Sequence, residues 1–376
     1  MFTTKKKEDD YMTQLDKVRK WVSKNEVDVA YISDPKSIEY LTGFASDPVE
    51  RILGLFVFAN KDPFLFAPAL EVEAIHDTGW EFPVYGYLDH EQPFEMIATQ
   101  IKKRVNHPVQ WAIEKNNLTI DHYNAIKNQF LFANFEKDLT PFIQKLRLIK
   151  TADEIEKLDA AGREADLAFK IGFEAVQAGR TEAEIAAELE YVLKKKGVMQ
   201  MSFDTLIQAG AHAAEPHGAT GMNKIKNNEL VLFDLGTIHQ GYISDSSRTV
   251  AVGQPSDKAL DIYKVCLDAQ LTAQSQAKPG MIAEDLDKIA RDIITKAGYG
   301  DYFIHRLGHG MGMGEHEFPS IMEGNKMSLE EGMCFSIEPG IYIPGVAGGR
   351  IEDCVHITKN GCEPFTHTSK ELTYVG

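Results

Sequence analysis

Two apolar β-hairpins constrain this chain most, because each carries two acidic residues where hydrophobic side chains are expected. The first reads ELVLFDLGTIHQGYISDSSRTV over residues 229–250, with Asp234 and Asp245 on its two strands. A turn at His239–Gln240 would place the two aspartates directly opposite each other, with Cβ atoms roughly 5 Å apart. Two like charges buried at that distance are unfavourable unless another group compensates them.

The second hairpin repeats this arrangement. Residues 332–358 read GMCFSIEPGIYIPGVAGGRIEDCVHIT, in which Glu338 and Glu352 are equally distant from Gly345. Exposed edge strands could explain a single acid, but they explain four acids in two matched hairpins less well. Divalent cations bind carboxylate oxygens and reverse the local charge balance, and two ions roughly 3.5–4 Å apart can share carboxylates. The hairpins therefore predict a site for two divalent metal ions.

A histidine-rich segment follows the first hairpin and precedes the second. Residues 301–319 read DYFIHRLGHGMGMGEHEFP, and we expect His305, His309 and His316 to crowd together in one loop. The glycine run lacks the strand–loop–helix context of a dinucleotide-binding loop, so we expect its glycines to let the backbone approach a site closely. One imidazole ligand favours Mn²⁺, Co²⁺ or Zn²⁺ over Ca²⁺ or Mg²⁺. His217, in AEPHGATG, is a fourth candidate.

The distribution of helix and strand patterns predicts two domains. Strand and helix patterns alternate over residues 12–147, which is typical of an α/β domain. Residues 148–376 follow the order helix–helix–hairpin twice, which suggests an internal duplication. Capping-box patterns at 151–154 and 181–184 predict the starts of the first two helices, and Gly179 is expected to end the first.

Composition limits the binding partners and the cellular compartment that we expect for the protein. The chain of 376 residues has a formal net charge of −16, which argues against nucleic acid or an anionic membrane as a partner. Its four cysteines form no CxxC pair, a pattern that fits a reducing cytoplasm. Residues 1–11 lack a signal-peptide core and are expected to form a disordered extension.

In order and spacing, five residues resemble the metal ligands of the pita-bread metallopeptidases, the M24 family: Asp234, Asp245, His309, Glu338 and Glu352. That family includes methionine aminopeptidase, aminopeptidase P and prolidase. The stretches FDLG…SDSSRT, HRLGHG…HE, SIEPGIY and GRIEDCV resemble its Xaa-Pro branch over roughly residues 150–365. The resemblance implies an α+β fold, with a C-terminal pita-bread domain preceded by an α/β domain like that of creatinase and prolidase.

The resemblance also implies a role for each ligand. Asp234 would bind one ion, Asp245 and Glu352 would bridge both, and His309 with Glu338 would complete the second position. Mn²⁺ is the expected metal, and Co²⁺ or Zn²⁺ would also fit.

The remaining site residues carry expectations of the same kind. Glu338 would also move protons, His217 and His316 would bind the substrate and steady its scissile carbonyl, and His305 or Arg306 would hold the proline end. Arg350 would share a strand face with Glu352 and orient it.

The substrate implied is a small Xaa-Pro dipeptide, from which the enzyme would release proline. The alternative within the family is an Xaa-Pro aminopeptidase that removes the N-terminal residue of longer peptides. A metal-free relative such as creatinase, or a binding module, is a third possibility, but these proteins typically lack several of the five ligands. The resemblance further implies a homodimer.

Overall fold

The computed structural model describes residues 12–216 and 218–376. The expected extension at residues 1–11 and the candidate site residue His217 therefore lie outside the described residues. Two compact units divide between Leu146 and Arg147, within the helix Thr140–Leu148.

The first unit alternates helices and strands around one sheet. Its helices are α1 (Gln14–Lys24), α2 (Pro35–Thr42), α3 (Val72–Asp77), α4 (Pro93–Lys102), α5 (Ile120–Gln129) and α6 (Thr140–Leu148). Its strands are β1 (Val29–Ile32), β2 (Gly54–Val57), β3 (Phe64–Pro68), β4 (Val84–Tyr87), β5 (Gln110–Ile113) and β6 (Asn134–Asp138).

This mixed sheet has the strand order β4-β3-β2-β1-β5-β6. Successive side chains of a strand point to opposite faces, so Ala30 and Ile32 enter one apolar cluster while Val29 and Tyr31 enter another. Both faces of the sheet are thus covered, and the α/β pattern expected from the sequence is confirmed for this unit.

The second unit carries the two acidic hairpins. Its helices are α7 (Ala152–Ala175), α8 (Glu182–Lys195), α9 (Asp257–Gln276) and α10 (Ala283–Lys296). Its first group of strands is β7 (Leu206–Ala209), β8 (Glu229–Leu235), β9 (Ile238–His239), β10 (Tyr242–Ile243) and β11 (Ser246–Val252). Its second group is β12 (Gly308–Gly310), β13 (Glu317–Ile321), β14 (Cys334–Ile337), β15 (Gly340–Ile343), β16 (Ala347–Arg350), β17 (Asp353–Ile357), β18 (Cys362–Pro364) and β19 (Thr373–Val375).

Two helix pairs pack against two sheets, in the chain order that suggested a duplication. Helices α7 and α8 share an apolar cluster with the sheet β19-β11-β8-β7, whereas α9 and α10 share one with the sheet β13-β12-β14-β17-β18. The capping boxes at Thr151 and Thr181 are both formed. Helix α7 ends at Ala175, before the expected Gly179, because Val176 is already extended.

The first hairpin turns one residue later than expected, so the predicted pairing of Asp234 with Asp245 is wrong. Gln240 and Gly241 both have positive φ, at 48° and 82°, which a two-residue type I′ turn requires at both central positions. The register therefore moves by two residues, and Asp234 lies opposite Ser247. Since Asp245 precedes Ser247 by two positions, the two aspartates become diagonal neighbours on one face.

The second hairpin has the expected register. Cys334 pairs with His356, and Ile337 pairs with Asp353. One position further towards the turn, the same register places Glu338 opposite Glu352. At the far end Ile343 pairs with Ala347, which centres the turn on Gly345.

Across residues 12–216 and 218–376, no helix combines the length and apolar character needed to cross a bilayer.

Candidate metal centre

Three of the four hairpin acids lie where the strands are interrupted. Asp245 falls between β10 and β11, Glu338 between β14 and β15, and Glu352 between β16 and β17. Pro339 follows Glu338 and has no N–H to donate to a ladder, which helps to end β14 there. These breaks free the acids from regular sheet geometry and group them on one side of the two hairpins.

His309 joins the acids of both hairpins. Its Nε2 lies 3.2 Å from Oε1 of Glu338 and 3.6 Å from Oδ2 of Asp245. The histidine-rich segment was expected to be a loop, but it contains short strands, and His309 is the middle residue of β12. A Cβ atom on Gly308 would lie 1.8 Å from the carbonyl oxygen of Ser336. Glycine is therefore required for this approach of β12 to β14, in agreement with the expected role of the glycine run.

Ser247 and Arg350 organise the other side of the cluster. The Ser247 hydroxyl lies 3.0 Å from Oδ1 of Asp234 and 2.7 Å from Oε2 of Glu352, and it accepts a hydrogen bond of 2.8 Å from Nε of Arg350. Arg350 also forms an ion pair with Asp234 and donates to the hydroxyl of Tyr342 at 2.9 Å. Arg350 is buried and lies 3.9 Å from Glu352, so its closest carboxylate is Asp234 and not the expected Glu352.

The electrostatics of the cluster show an excess of negative charge. Burial, followed by the charge of Asp234, raises the pKa of Asp245 to about 8. Burial and the charges of Asp245 and Glu338 raise the pKa of Glu352 well above its usual value. Glu338 behaves differently: burial opposes ionisation, but the hydrogen bond and charge of His309 outweigh it and lower the pKa of Glu338 to about 2.

Four carboxylates and one imidazole thus meet, and among the described residues Arg350 is the arginine whose side chain forms ion pairs with them. Asp245, His309 and Glu352 are at most 7% exposed, so water cannot fully compensate their charge. One ligand atom from each of His309, Glu338 and Glu352 can be chosen such that all three lie within 4.8 Å of one another. An oxygen-rich donor set with one imidazole and unbalanced negative charge fits divalent ions such as Mn²⁺, Co²⁺ or Zn²⁺.

The two halves of the duplication are tied together beside the cluster. The backbone N–H of Glu352 donates to the carbonyl of Ser247 at 3.0 Å. The buried Arg248 donates to the carbonyl of Glu352 at 2.5 Å and forms an ion pair of 2.7 Å with Asp353. The position of Glu352 relative to the first hairpin is therefore fixed by backbone contacts and by an adjacent buried ion pair.

The other predicted site residues lie at different distances from the cluster. The His316 ring packs edge-on against His309, with centroids 4.2 Å apart. His305 lies 3.1 Å from the hydroxyl of Tyr342, and burial lowers the pKa of its imidazole. Arg306 donates instead to Ser320 on β13, at 3.1 Å. For His217 the structure offers no position.

Four residues that the structure describes at the cluster were not found from the sequence: Ser247, Ser336, Tyr342 and Cys354. A simple signal could have found two of them, because side chains two positions apart on a strand share a face. Ser247 follows Asp245 by two residues, and Cys354 follows Glu352 by two.

Comparison with known proteins shows the family to which the chain belongs. Residues 156–359 match the model of metallopeptidase family M24, and residues 14–149 match the creatinase/prolidase N-terminal domain. The chain belongs to metallopeptidase family M24. The expected α+β fold, a pita-bread domain with a creatinase-like N-terminal domain, is confirmed, as is the metallopeptidase class.

Particular relatives are similar over nearly their whole length. The chain is 59% identical over 359 residues to an Xaa-Pro dipeptidase from Lactobacillus delbrueckii subsp. lactis, covering 95% of this chain and 98% of that one. It is 56% identical over 362 residues to an Xaa-Pro dipeptidase from Lactobacillus helveticus, covering 96% and 98%. The crystal structure of the prolidase from Pyrococcus horikoshii OT3 superimposes with a TM-score of 0.87 at 35% identity, covering 95% of this chain and 99% of that one.

Proposed function

We propose that this protein hydrolyses the Xaa-Pro bond of dipeptides and releases proline. The observation that carries the proposal is the largely buried cluster in which four carboxylates from two hairpins meet His309. The high identity to two Xaa-Pro dipeptidases supports the substrate class.

Two divalent ions would be held by the five residues of the cluster, with Mn²⁺ the first candidate and Co²⁺ or Zn²⁺ the alternatives. Asp234 would bind one ion, His309 and Glu338 the other, and Asp245 and Glu352 both. When bound, such ions supply Lewis acidity that polarises the scissile carbonyl and lowers the pKa of water towards neutrality.

The residues of the chain would then orient the substrate and move protons. Glu338, whose carboxylate lies 3.2 Å from His309, would accept a proton from the attacking water and deliver it to the proline nitrogen. His316 would steady the carbonyl oxygen, which its packing against His309 supports, and His217 would assist it. Arg350 would hold Asp234 in position through their ion pair.

Proline explains the need for a dedicated enzyme. The Xaa-Pro amide has no N–H, so a site that grips a backbone donor at that position would fail. His305 is partly buried, which lowers the pKa of its imidazole, so it is neutral near pH 7 and could contact the proline end by a hydrogen bond. Arg306 would bind the free carboxylate of a dipeptide.

A comparison of Ala-Pro with Ala-Pro-Ala, with and without added Mn²⁺, tests the proposal. We expect Mn²⁺-dependent hydrolysis of the dipeptide and little hydrolysis of the tripeptide. Preference for the tripeptide would assign the protein as an Xaa-Pro aminopeptidase. Absence of bound metal together with absence of Mn²⁺ activation would remove the metallopeptidase mechanism.

The proposal includes a homodimer in the cytoplasm. The four cysteines are free in the structure, which supports a reducing compartment. The dimer follows from the family resemblance, and sedimentation equilibrium of the purified protein tests it.

A further inference from the structure

A thiol lies beside the carboxylate cluster and has no role in the proposed reaction. Cys354 is on β17, is 1% exposed and is not part of a disulfide. It pairs across the sheet with Ser336, whose hydroxyl donates to Glu338 at 2.8 Å. Residues paired in this way share a face of the sheet, so the Cys354 side chain points towards the cluster.

The distances place this thiol among potential ligands. Its sulfur and one carboxylate oxygen from each of Asp245 and Glu352 all lie within 4.8 Å of one another, and all three residues are buried. Ligand atoms bound to one Zn²⁺ ion are roughly 3–4 Å apart, because Zn–S is about 2.3 Å and Zn–O about 2.0–2.2 Å. A small side-chain adjustment therefore suffices to bring all three to one ion.

We propose that Cys354, with Asp245 and Glu352, forms a binding site for a thiophilic divalent ion such as Cd²⁺ or Zn²⁺. Because Asp245 and Glu352 are the carboxylates expected to bridge the two catalytic ions, the inference rests on the proposed function. A thiophilic ion held there would compete with Mn²⁺ for both of them.

The chemistry of the donors explains the selectivity. Mn²⁺ prefers carboxylate and imidazole ligands and gains little from a sulfur donor, whereas Cd²⁺ and Zn²⁺ bind thiolate strongly. On binding, the sulfur forms a bond to the ion and its proton is released to solvent. The catalytic centre would thus be open to inhibition by thiophilic metals through a residue that the reaction does not need.

Cadmium titration tests the site without reference to activity. Cd²⁺ bound by a thiolate gives a ligand-to-metal charge-transfer absorption in the ultraviolet, which carboxylate-bound Cd²⁺ lacks. We expect this band in the full-length protein and in the control variant Cys334→Ala, whose thiol is equally buried but lies outside the ligand group. Cys354→Ala and Cys354→Ser, checked for folding by circular dichroism, should both lack it.

Competition dialysis supplies the second measurement. We expect the preference for Cd²⁺ over Mn²⁺ to fall at least about tenfold in both Cys354 variants and to persist in Cys334→Ala. If the unaltered protein binds Mn²⁺ but gives no charge-transfer band with Cd²⁺, the thiolate site is wrong. The same holds if folded Cys354 variants keep that band. Neither result would contradict the proposed metal centre. Failure of the unaltered protein to bind either ion would overturn the proposed metal centre, and the thiolate site with it.

Discussion

Arg350 and Asp234 form an ion pair whose partners come from opposite halves of the duplicated unit. Arg350 also contacts Ser247 and Tyr342 through separate nitrogens. A guanidinium can make these contacts together because its donors have a fixed fork geometry, which a lysine ammonium lacks.

We therefore expect Arg350→Lys to lower Mn²⁺ affinity and dipeptide hydrolysis by about 10–100-fold. Isothermal titration with Mn²⁺ and steady-state kinetics measure the two effects. Arg163→Lys is the matched control, because Arg163 forms an exposed ion pair with Asp159 on the same helix. Unchanged Mn²⁺ affinity in Arg350→Lys would show that Asp234 does not depend on this arginine.

Asp245 is the acid whose loss should most directly affect metal binding. We expect Asp245→Asn to reduce bound Mn²⁺ and to lower hydrolysis at least about 100-fold, because a neutral amide is a poor bridging ligand. The metal-free fold should persist, because burial and the charge of Asp234 raise the pKa of Asp245 to about 8, so the uncharged side chain is already favoured there near pH 7. Elemental analysis, kinetics and circular dichroism check these outcomes, with the exposed Asp292→Asn as control. A fully active variant would exclude Asp245 as a shared ligand.

A second buried carboxylate, Glu182 at the start of α8, should be important for stability. It accepts hydrogen bonds from the backbone N–H of Ala209 at 2.8 Å and of Gly221 at 3.2 Å, and from the side chain of Asn223 at 2.9 Å. It also contacts His212, at 2.9 Å. Glu182 thus anchors both ends of the segment that contains the candidate residue His217.

We expect Glu182→Ala to destabilise the protein by at least about 2 kcal/mol, because buried donors lose their acceptor. The midpoint of urea unfolding measures this change. Glu188→Ala on the same helix is the control, since Glu188 is half-exposed and its ion pair with Arg180 should contribute at most about 1 kcal/mol. Equal effects of the two substitutions would contradict the anchoring role.

Glu114 should make the first unit sensitive to pH. Burial raises its pKa to about 7, although its carboxylate accepts hydrogen bonds from the backbone N–H groups of Ser33 and Asp34. In the folded state it holds a proton that the unfolded chain has released above its ordinary pKa of about 4.5. The folded state therefore binds more protons between these values, and stability falls as pH rises from about 4.5 through 7.

We expect Glu114→Gln to remove this decline, which has an upper limit of about 3 kcal/mol. Thermal unfolding should show that the variant is more stable than the unaltered protein at pH 8 but not at pH 5. The same difference in stability between variant and unaltered protein at both pH values would mean that Glu114 is not the titrating group.

The order of elements could be predicted because local patterns determine it, and the five-residue cluster because its residues resemble the ligand set of the family. The capping boxes at Thr151 and Thr181, and the matched spacing of Glu338 and Glu352 about Gly345, depend on neighbours in the sequence. The turn of the first hairpin could not be placed as well. Its position depends on Gln240 adopting a positive φ beside Gly241, which side-chain patterns do not reveal.

The side chains that position the ligands across the two halves were not predicted from the sequence. Arg350 was expected to orient its strand neighbour Glu352, from which it lies 3.9 Å away, but its ion pair with Asp234 in the other half was not expected. The role of Ser247 likewise depends on Glu352, which is 105 residues further along the chain. Tertiary packing decides such pairs, and it has no local signature.

The division of the cluster between two hairpins has a consequence for folding. Ions shared by Asp245 and Glu352 would act as a cross-link between the halves of the second unit, each of which has its own helices, sheet and apolar cluster. A cross-link that closes a long loop removes more conformational freedom from the unfolded chain than one within a hairpin. Metal binding would then hold the two halves together against separation, in addition to preparing the site for its reaction.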